Sequence, residues 1–158
     1  MIINIRENMS VISQATIENI DELSELFDLY RQFYRQPSNT GEAKKFLSER
    51  LNKKDSEIFV SKSDDGKLSG FVQLYPVFTS VGLKRLWLLN DLYVKEEHRK
   101  KGIARMLIDR CKKLAKETNA SGLMLETSKN NLEGNVLYPT EGFTIVDESN
   151  FYFFKIDN

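Results

Sequence analysis

The sequence predicts a mixed α/β (α+β) fold, with a central, mostly antiparallel, twisted sheet of about six to seven strands and helices on both faces. Two apolar stretches rich in β-branched and aromatic residues, 57–61 and 68–75, flank an Asp-Asp-Gly turn and predict an antiparallel hairpin. The apolar run 86–94 is followed at once by a helical pattern and then by another strand. That order is typical of a parallel strand pair joined by a helix, so a mixed sheet is expected.

The N-terminal part supplies a strand and two helices. Residues 11–15 are apolar and β-branched enough to predict a first strand. Residues 21–34 carry apolar side chains at helical spacing and are followed by Pro37 and Gly41, which predicts a helix that ends near Tyr34. A second, more charged helix is expected over about 42–53.

The C-terminal part alternates helices and strands. We expect a helix at about 102–118, a strand at 123–127, a short helix at about 133–138, and two closing strands near 143–146 and 151–156. The last strand, NFYFFKI, is aromatic and offers an edge for pairing with a second subunit. A homodimer is therefore expected.

Length and charge limit the classes of function. A chain of 158 residues is expected to form a single domain, 1–158, with its core at about 10–157. Residues 1–8 precede the first strand and are expected either to add an edge strand or to be mobile. Lys plus Arg and Asp plus Glu number 23 each. Because the charges balance, no overall electrostatic field attracts the protein to nucleic acid or an anionic membrane. A small-molecule or protein partner is therefore expected.

Cysteine and histidine usage excludes further classes. One cysteine, Cys111, and one histidine, His98, supply neither a disulfide nor a cluster of metal ligands, so no metal is expected. The apolar part of the first ten residues is too short for a signal peptide, and no run approaches a transmembrane length. A cytoplasmic protein is expected.

The segment between the strand at 86–94 and the following helix has the composition of an anion-binding turn. Three basic residues, Arg99, Lys100 and Lys101, precede Gly102, and a helix starts immediately afterwards. The first N–H groups of a helix have no internal acceptors and can bind a phosphate. Gly102 permits a close backbone approach, and small Ala104 leaves the next turn open. The alternative is a solvated basic turn ahead of an ordinary amphipathic helix.

Two ordered blocks carry a family resemblance: Arg99-x-x-Gly102-x-Ala104, and then Asn131-(x6)-Tyr138-(x3)-Gly142-Phe143. Together they resemble the GNAT superfamily of acetyl-CoA-dependent N-acetyltransferases. The first is similar to that family's pyrophosphate loop, Q/R-x-x-G-x-G/A, and the second to its helix carrying Asn and Tyr. The small amine, polyamine and histone-tail branch is the most similar. The resemblance implies a GNAT-like fold with a splayed strand edge for acetyl-CoA.

The resemblance also implies specific roles. Acetyl-CoA would be the co-substrate, and the acceptor would be a primary amine of a small molecule or an exposed lysine. The backbone groups of Leu92, Tyr93 and Val94 would hold the acetyl-pantetheine arm like an added strand. Asn131 would contact the pantetheine, and the Tyr138 hydroxyl would face the thioester sulfur. The pyrophosphate would lie against the turn and the start of the helix: Arg99, Lys100, Lys101, Gly102, Ile103, Ala104 and Arg105.

The chemistry requires a base and an acid. An alkylamine of pKa near 10.4 is neutral in only roughly one molecule in a few thousand at pH 7, so its proton must be removed. Asp91 is one candidate base, acting directly or through water, and Glu126 is another. Tyr138 could protonate the departing thiolate, and a backbone N–H near Leu92 could bind the oxyanion.

Three residues depart from the family pattern. Asn90 stands where similar polyamine acetyltransferases carry their favoured base, Glu, and an amide cannot act as a base. This leaves open a catalytically weak acyl-CoA-binding sensor or adaptor of the same fold. Gly134 replaces the usual Ala, and Pro139 is expected to end its helix early.

Several candidate residues also have structural interpretations. Tyr138 could be a core tyrosine, Asp91 could pair with a lysine or cap a strand end, and Asn131 could cap a helix. Trp87 could line an acceptor groove or belong to the core. Cys111 occupies a helical core position and is expected to be inert.

Overall fold

The computed structural model describes residues 10–157. The chain forms two compact units, one ending at Glu126 and the other beginning at Thr127. The two alternatives for residues 1–8 lie outside the described residues. Within the described range, no helix is both long and apolar enough to cross a membrane.

Residues 10–126 of the larger unit form one sheet whose strand order follows the chain. The first four strands are antiparallel to their neighbours, and the fifth runs parallel to the fourth. Its strands are β1 (Val11–Gln14), β2 (Glu57–Lys62), β3 (Leu68–Thr79), β4 (Lys84–Val94) and β5 (Leu123–Met124). The mixed α+β class is confirmed. The expectation of six to seven strands is wrong, because the sheet formed by residues 10–157 has five.

Residues 10–157 contain four α-helices, and their bounds lie within about two residues of those expected. They are α1 (Ile20–Phe33), α2 (Thr40–Lys53), α3 (Ile103–Glu117) and, in the smaller unit, α4 (Leu132–Thr140). Short 3-10 turns precede α1 and α3.

Helices α1 and α2 cover one face of the sheet and α3 covers the other. Apolar side chains of the first two, including Leu26 and Leu47, form a buried cluster with Phe71 of β3. On the opposite face, the Arg110 guanidinium of α3 lies 4.1 Å from the ring centre of Phe59. The period-2 alternation of β3 therefore divides its side chains between two separate apolar layers.

The buried carboxylate of Asp28 on α1 fixes the connection between α1 and α2. It accepts hydrogen bonds from the Asn39 backbone N–H (2.8 Å), the Ser38 hydroxyl (2.7 Å) and the Gln32 amide (3.0 Å), and pairs with Arg31 (3.1 Å). Burial raises the pKa of Asp28, but these bonds outweigh it and lower the pKa below its ordinary value. The segment after α1 is thus tied to the helix it leaves.

In the C-terminal region the strand expected at 123–127 is present but short, and the expectations for the two closing strands and for Pro139 are wrong. The strand expected at 123–127 has only two paired residues, and residues 143–157 contain no strand, so neither closing strand forms. Alternating apolar residues define a strand only when a neighbouring backbone completes the ladder, and sequence periodicity does not show that neighbour. Pro139 does not end its helix early: α4 continues to Thr140, because a proline near the C-terminus removes only one helical N–H.

Candidate active site

A β-bulge in β4 determines which side chains reach each face of the sheet. Asp91 lies opposite Gln73, but the next pair is Leu89 opposite Leu74, so Asn90 is an extra residue on β4. Directly opposed residues share a face. Leu89 consequently shares the α3 face with Leu74, whereas Asp91 lies on the α1 face.

Beyond the bulge, one edge of β4 has no strand partner among the described residues. The ladder to β5 consists of the pairs formed by Trp87 and Leu88, while residues 89–94 continue alongside β3. An unpaired edge of this kind can accept an extended ligand as an added strand. Leu92, Tyr93 and Val94, the residues expected to hold the pantetheine arm, lie on this segment.

Close strand packing opposite this segment requires a glycine at position 70. A Cβ on Gly70 would lie 2.9 Å from the Tyr93 carbonyl oxygen and 3.3 Å from the Ser61 hydroxyl. Neither a backbone carbonyl nor a buried hydroxyl can easily retreat. Gly70 therefore fixes the separation of β2, β3 and β4 where the expected cofactor strand ends.

Asp91 is a buried carboxylate with only 6% of its surface exposed. It accepts hydrogen bonds from the Asn90 amide (3.1 Å) and from the Tyr30 hydroxyl of α1. Burial raises the pKa of Asp91 above its ordinary value of 3.8, against the opposing effect of these two bonds. A carboxylate with a raised pKa is better matched to accepting a proton near neutral pH than an exposed one.

The second candidate base has a different environment. Glu126 is exposed and lies two residues beyond the end of β5, rather than on a strand neighbouring β4 as expected. Asn90 is exposed as well, and its amide donates to Asp91. The residue in the family's usual base position therefore supports the neighbouring carboxylate.

The basic turn has two residues in left-handed backbone conformations before α3. Lys100 has φ of 60° and Gly102 has φ of 79°. A Cβ on Gly102 would meet no crowding atom within 4 Å, so the glycine is required by its backbone angle and not by lack of space. Gly102 is the N-cap of α3, and no side chain caps this helix. The helix start is thus compatible with binding an anion through backbone N–H groups.

Two of the basic side chains make contacts within the turn. Arg99 donates to the Val94 carbonyl (3.1 Å), and its guanidinium lies over the rings of Phe33 and Tyr93. Lys101 donates to the Glu97 carbonyl (3.0 Å). Arg99 therefore joins the turn to the end of β4 in addition to contributing positive charge.

In the smaller unit, Asn131 caps α4, as its structural interpretation predicted. Its side-chain oxygen accepts from the Gly134 N–H (3.1 Å), and its amide donates to the Thr127 hydroxyl (2.9 Å). A Cβ on Gly134 would lie 2.6 Å from the Asn131 amide nitrogen and 3.2 Å from the Tyr138 ring. Glycine in place of the family's alanine leaves these two side chains the space that a Cβ would occupy.

Tyr138 is half-buried on α4 and is held by the turn that follows the helix. Its carbonyl accepts from the Phe143 N–H (3.0 Å), and the two rings meet edge to face with centres 5.8 Å apart. Gly142, with φ of 87°, lets the chain reverse there. The Gly-Phe pair of the second motif thus positions the tyrosine.

Other candidate residues belong to the core. Trp87 is buried and donates to the Thr118 hydroxyl (2.9 Å), so it does not line an acceptor groove. Cys111 is fully buried, which confirms its core position, and burial raises the pKa of its thiol to about 12. Among residues 10–157, no group of three His, Cys, Asp or Glu side chains could hold a metal ion.

Three tyrosines that interact with Asp91 are not predicted as site residues by the sequence. Tyr30 donates its hydroxyl to the carboxylate, and the Asp91 charge contributes to raising the pKa of both Tyr34 and Tyr75. Sequence periodicity places Tyr30 and Tyr34 in the apolar stripe of a helix, and Tyr75 in a strand. Their meeting depends on how α1 crosses the sheet, which local patterns do not specify.

Comparisons with known proteins find related sequences and structures. The family model described as Acetyltransferase (GNAT) family matches residues 23–143. The chain is 38% identical to an uncharacterized N-acetyltransferase, YhfO, of Bacillus subtilis (strain 168), over 84% of this chain and 88% of that protein. It is 32% identical to a probable acetyltransferase of Haemophilus influenzae, over 80% of this chain and 85% of that one.

A solved structure shows the same fold. The crystal structure of a probable acetyltransferase matches with a TM-score of 0.89 and 40% sequence identity, covering 94% of this chain and 99% of that one. The motif order, the fold and these relatives agree, and the chain belongs to the GNAT family of acetyltransferases.

Proposed function

We propose that this acetyltransferase moves the acetyl group of acetyl-CoA to a primary amine of a small molecule or an exposed lysine. The observation that carries the proposal is the course of β4. One strand combines a bulge, a buried carboxylate, an edge that is open beside β3, and a basic turn leading to an uncapped helix start. Each feature suits one part of the two substrates. The family match spans 23–143, which supports a single acetyltransferase domain.

For acetyl-CoA, we assign the pantetheine arm to the backbone of Leu92, Tyr93 and Val94. The pyrophosphate is assigned to residues 99–105, where left-handed backbone at Lys100 and Gly102 precedes α3. Main-chain N–H groups and lysine charge both favour a phosphate there. Asn131 is assigned to the pantetheine on the basis of its motif.

For the transfer step, Asp91 accepts a proton from the acceptor ammonium, and the neutral nitrogen then forms a bond to the thioester carbonyl carbon. A backbone N–H near Leu92 stabilises the negative charge that develops on the carbonyl oxygen. Tyr138 donates a proton to the sulfur as the carbon–sulfur bond breaks. The nitrogen of the intermediate loses its second proton to solvent, and the Asp91 proton passes through solvent to restore Tyr138. The products are therefore an N-acetyl amide, CoA thiol and one released proton.

A second candidate is an acyl-CoA-binding sensor or adaptor with little turnover. Asn90 favours it, because the family's usual carboxylate is missing at the bulge. The two candidates differ in one measurable respect, which is turnover.

The function is tested by following thiol release from acetyl-CoA with polyamines, lysine peptides, aminoglycosides and simple alkylamines. Release that depends on the amine, with the acetylated product seen by mass spectrometry, is the expected result. Binding of CoA without turnover on any amine would instead support the sensor.

Gly102→Leu is expected to weaken CoA binding at least tenfold, because a side chain at positive φ strains the turn that faces the pyrophosphate. Isothermal titration with CoA measures the effect. Gly66→Leu is the matched control, since Gly66 has φ of 81° and equally open surroundings in the β2–β3 turn. Equal CoA affinity of the two variants would rule out the pyrophosphate assignment.

Asp91→Asn is expected to lower kcat/KM by roughly 100-fold or more, because the base is lost. A carboxylate base acts only when ionised, and burial raises the pKa of Asp91. The acidic limb of the wild-type pH profile should therefore lie above pH 3.8. Glu126→Gln, the matched control, should keep the wild-type kcat/KM and the acidic limb of the wild-type pH profile. Loss of activity in Glu126→Gln alone would transfer the role of base to Glu126.

Tyr138→Phe is expected to lower kcat by roughly 10- to 100-fold with CoA affinity retained, because only the proton donor is removed. Steady-state kinetics and CoA titration separate the two quantities. Tyr152→Phe, an exposed tyrosine of the same unit, provides the control. An unchanged kcat in Tyr138→Phe would exclude this tyrosine as the acid.

We also propose a homodimer formed through the C-terminal segment. Seven apolar side chains of this segment are exposed, more than one short stretch usually shows to water: Ile145, Val146, Phe151, Tyr152, Phe153, Phe154 and Ile156. Light scattering should give twice the chain mass, and Phe151→Ser with Phe153→Ser should reduce it to one chain. A wild-type protein of single-chain mass would refute the dimer.

A further inference from the structure

Tyrosines of two elements lie on the same side of the sheet as the Asp91 carboxylate, since Tyr75 is two residues along β3 from Gln73, which pairs with Asp91. Tyr30 of α1 donates its hydroxyl to the carboxylate. Burial and then the Asp91 charge raise the pKa of Tyr34, and they raise the pKa of Tyr75 of β3 to about 12. The rings of Tyr30 and Tyr34 meet edge to face with centres 5.1 Å apart. Aromatic rings and a carboxylate therefore lie on the α1 face of the sheet.

No cationic side chain in residues 10–157 forms an ion pair with Asp91. The other buried aspartate of this unit, Asp28, has both Arg31 and a backbone N–H. A buried carboxylate without a cation is costly, and a bound cation would offset that cost. The arrangement at Asp91 is complementary to a positive ligand.

The side-chain oxygen of Gln73, beside Asp91, has no hydrogen-bond partner among residues 10–157. Gln73 is fully buried and lies directly opposite Asp91 in the β3–β4 ladder. Its amide nitrogen donates to the Ser56 hydroxyl (2.9 Å), but its side-chain oxygen has no hydrogen bond. A buried acceptor in this state is unfavourable. An ammonium group has three N–H donors, enough for both the carboxylate and this oxygen.

We propose that Tyr30, Tyr34 and Tyr75 form, together with Asp91, a binding site for the ammonium group of an unbranched alkylamine. The proposal rests on the amine acetyltransferase function above and names its acceptor class. The tyrosine rings bind the cation through their faces, Asp91 pairs with it, and the Gln73 oxygen accepts one of its hydrogens.

The difference in exposure between the carboxylate and its rim favours an unbranched chain. Asp91 is 6% exposed, whereas Tyr34 is 46% and the adjacent Phe33 is 54% exposed. Only a slender group reaches a carboxylate so deeply buried, and methylenes behind it can lie along the exposed rings. An amine attached directly to a ring would have to bring bulk to the buried end.

The test compares two ammonium ions of equal carbon number, n-hexylammonium and cyclohexylammonium, with 1-hexanol as the uncharged chain. Binding to the intact protein is followed by two NMR titrations. One contains CoA and the other contains no CoA, and acetyl-CoA is absent from both. We expect n-hexylammonium to bind at least about tenfold more tightly than either other ligand. Equal affinity for the two ammonium ions would overturn the unbranched-chain assignment.

Variants of the exposed ring test the tyrosine contribution. Tyr34→Leu should weaken n-hexylammonium binding by about 3- to 30-fold, while Tyr34→Phe, which keeps the ring, should retain most of it. Phe78→Leu, an exposed aromatic on the opposite face of β3 from Tyr75, should have no effect. Thermal melting checks that each variant is folded. Unchanged binding in Tyr34→Leu would overturn the aromatic site.

The binding measurement separates this proposal from the proposed function. Acetyl transfer to some amine without preferential n-hexylammonium binding would overturn the cation site and leave the acetyltransferase intact. The expected binding pattern without any acetylated product would support the site and remove the catalytic assignment.

Discussion

The single extra residue in β4 sets the geometry of the whole candidate site. A regular strand would place Leu89 and Asp91 on the same face, because side chains repeat every two residues. With Asn90 inserted, Leu89 packs on the α3 face while Asp91 is turned toward α1. The same strand can therefore contribute to an apolar core and, two residues later, present a carboxylate to the opposite face.

Two buried aspartates on the α1 side of the sheet show how the surroundings separate structural from chemical roles. Asp28 is satisfied by four donors and has a lowered pKa, and it stabilises the segment between α1 and α2. Asp91 has two donors, no paired cation in the described part of the chain, and a raised pKa. A carboxylate that is already saturated has little capacity to act on a ligand, whereas an incompletely satisfied one retains it.

The departures from the family pattern have local physical explanations. Gly134 gives the Asn131 amide and the Tyr138 ring the space that a methyl group would fill. Pro139 is accommodated near the end of α4, where its missing N–H costs one bond. Asn90 donates to Asp91 instead of supplying a carboxylate. Gly134 and Pro139 preserve the geometry of α4. With Asn90 in place of the usual carboxylate, the candidate base becomes the next residue, Asp91.

Local sequence was sufficient to specify the helices, the hairpin, the basic turn and the family, because helical periodicity, turn residues and motif spacing are properties of short segments. Tertiary packing set the bulge at Asn90, the shortness of β5 and the absence of strands in residues 143–157, since strand pairing depends on distant backbone. It also brought Tyr30, Tyr34 and Tyr75 to Asp91. These residues come from α1, β3 and β4, and only the crossing of α1 over the sheet places them together.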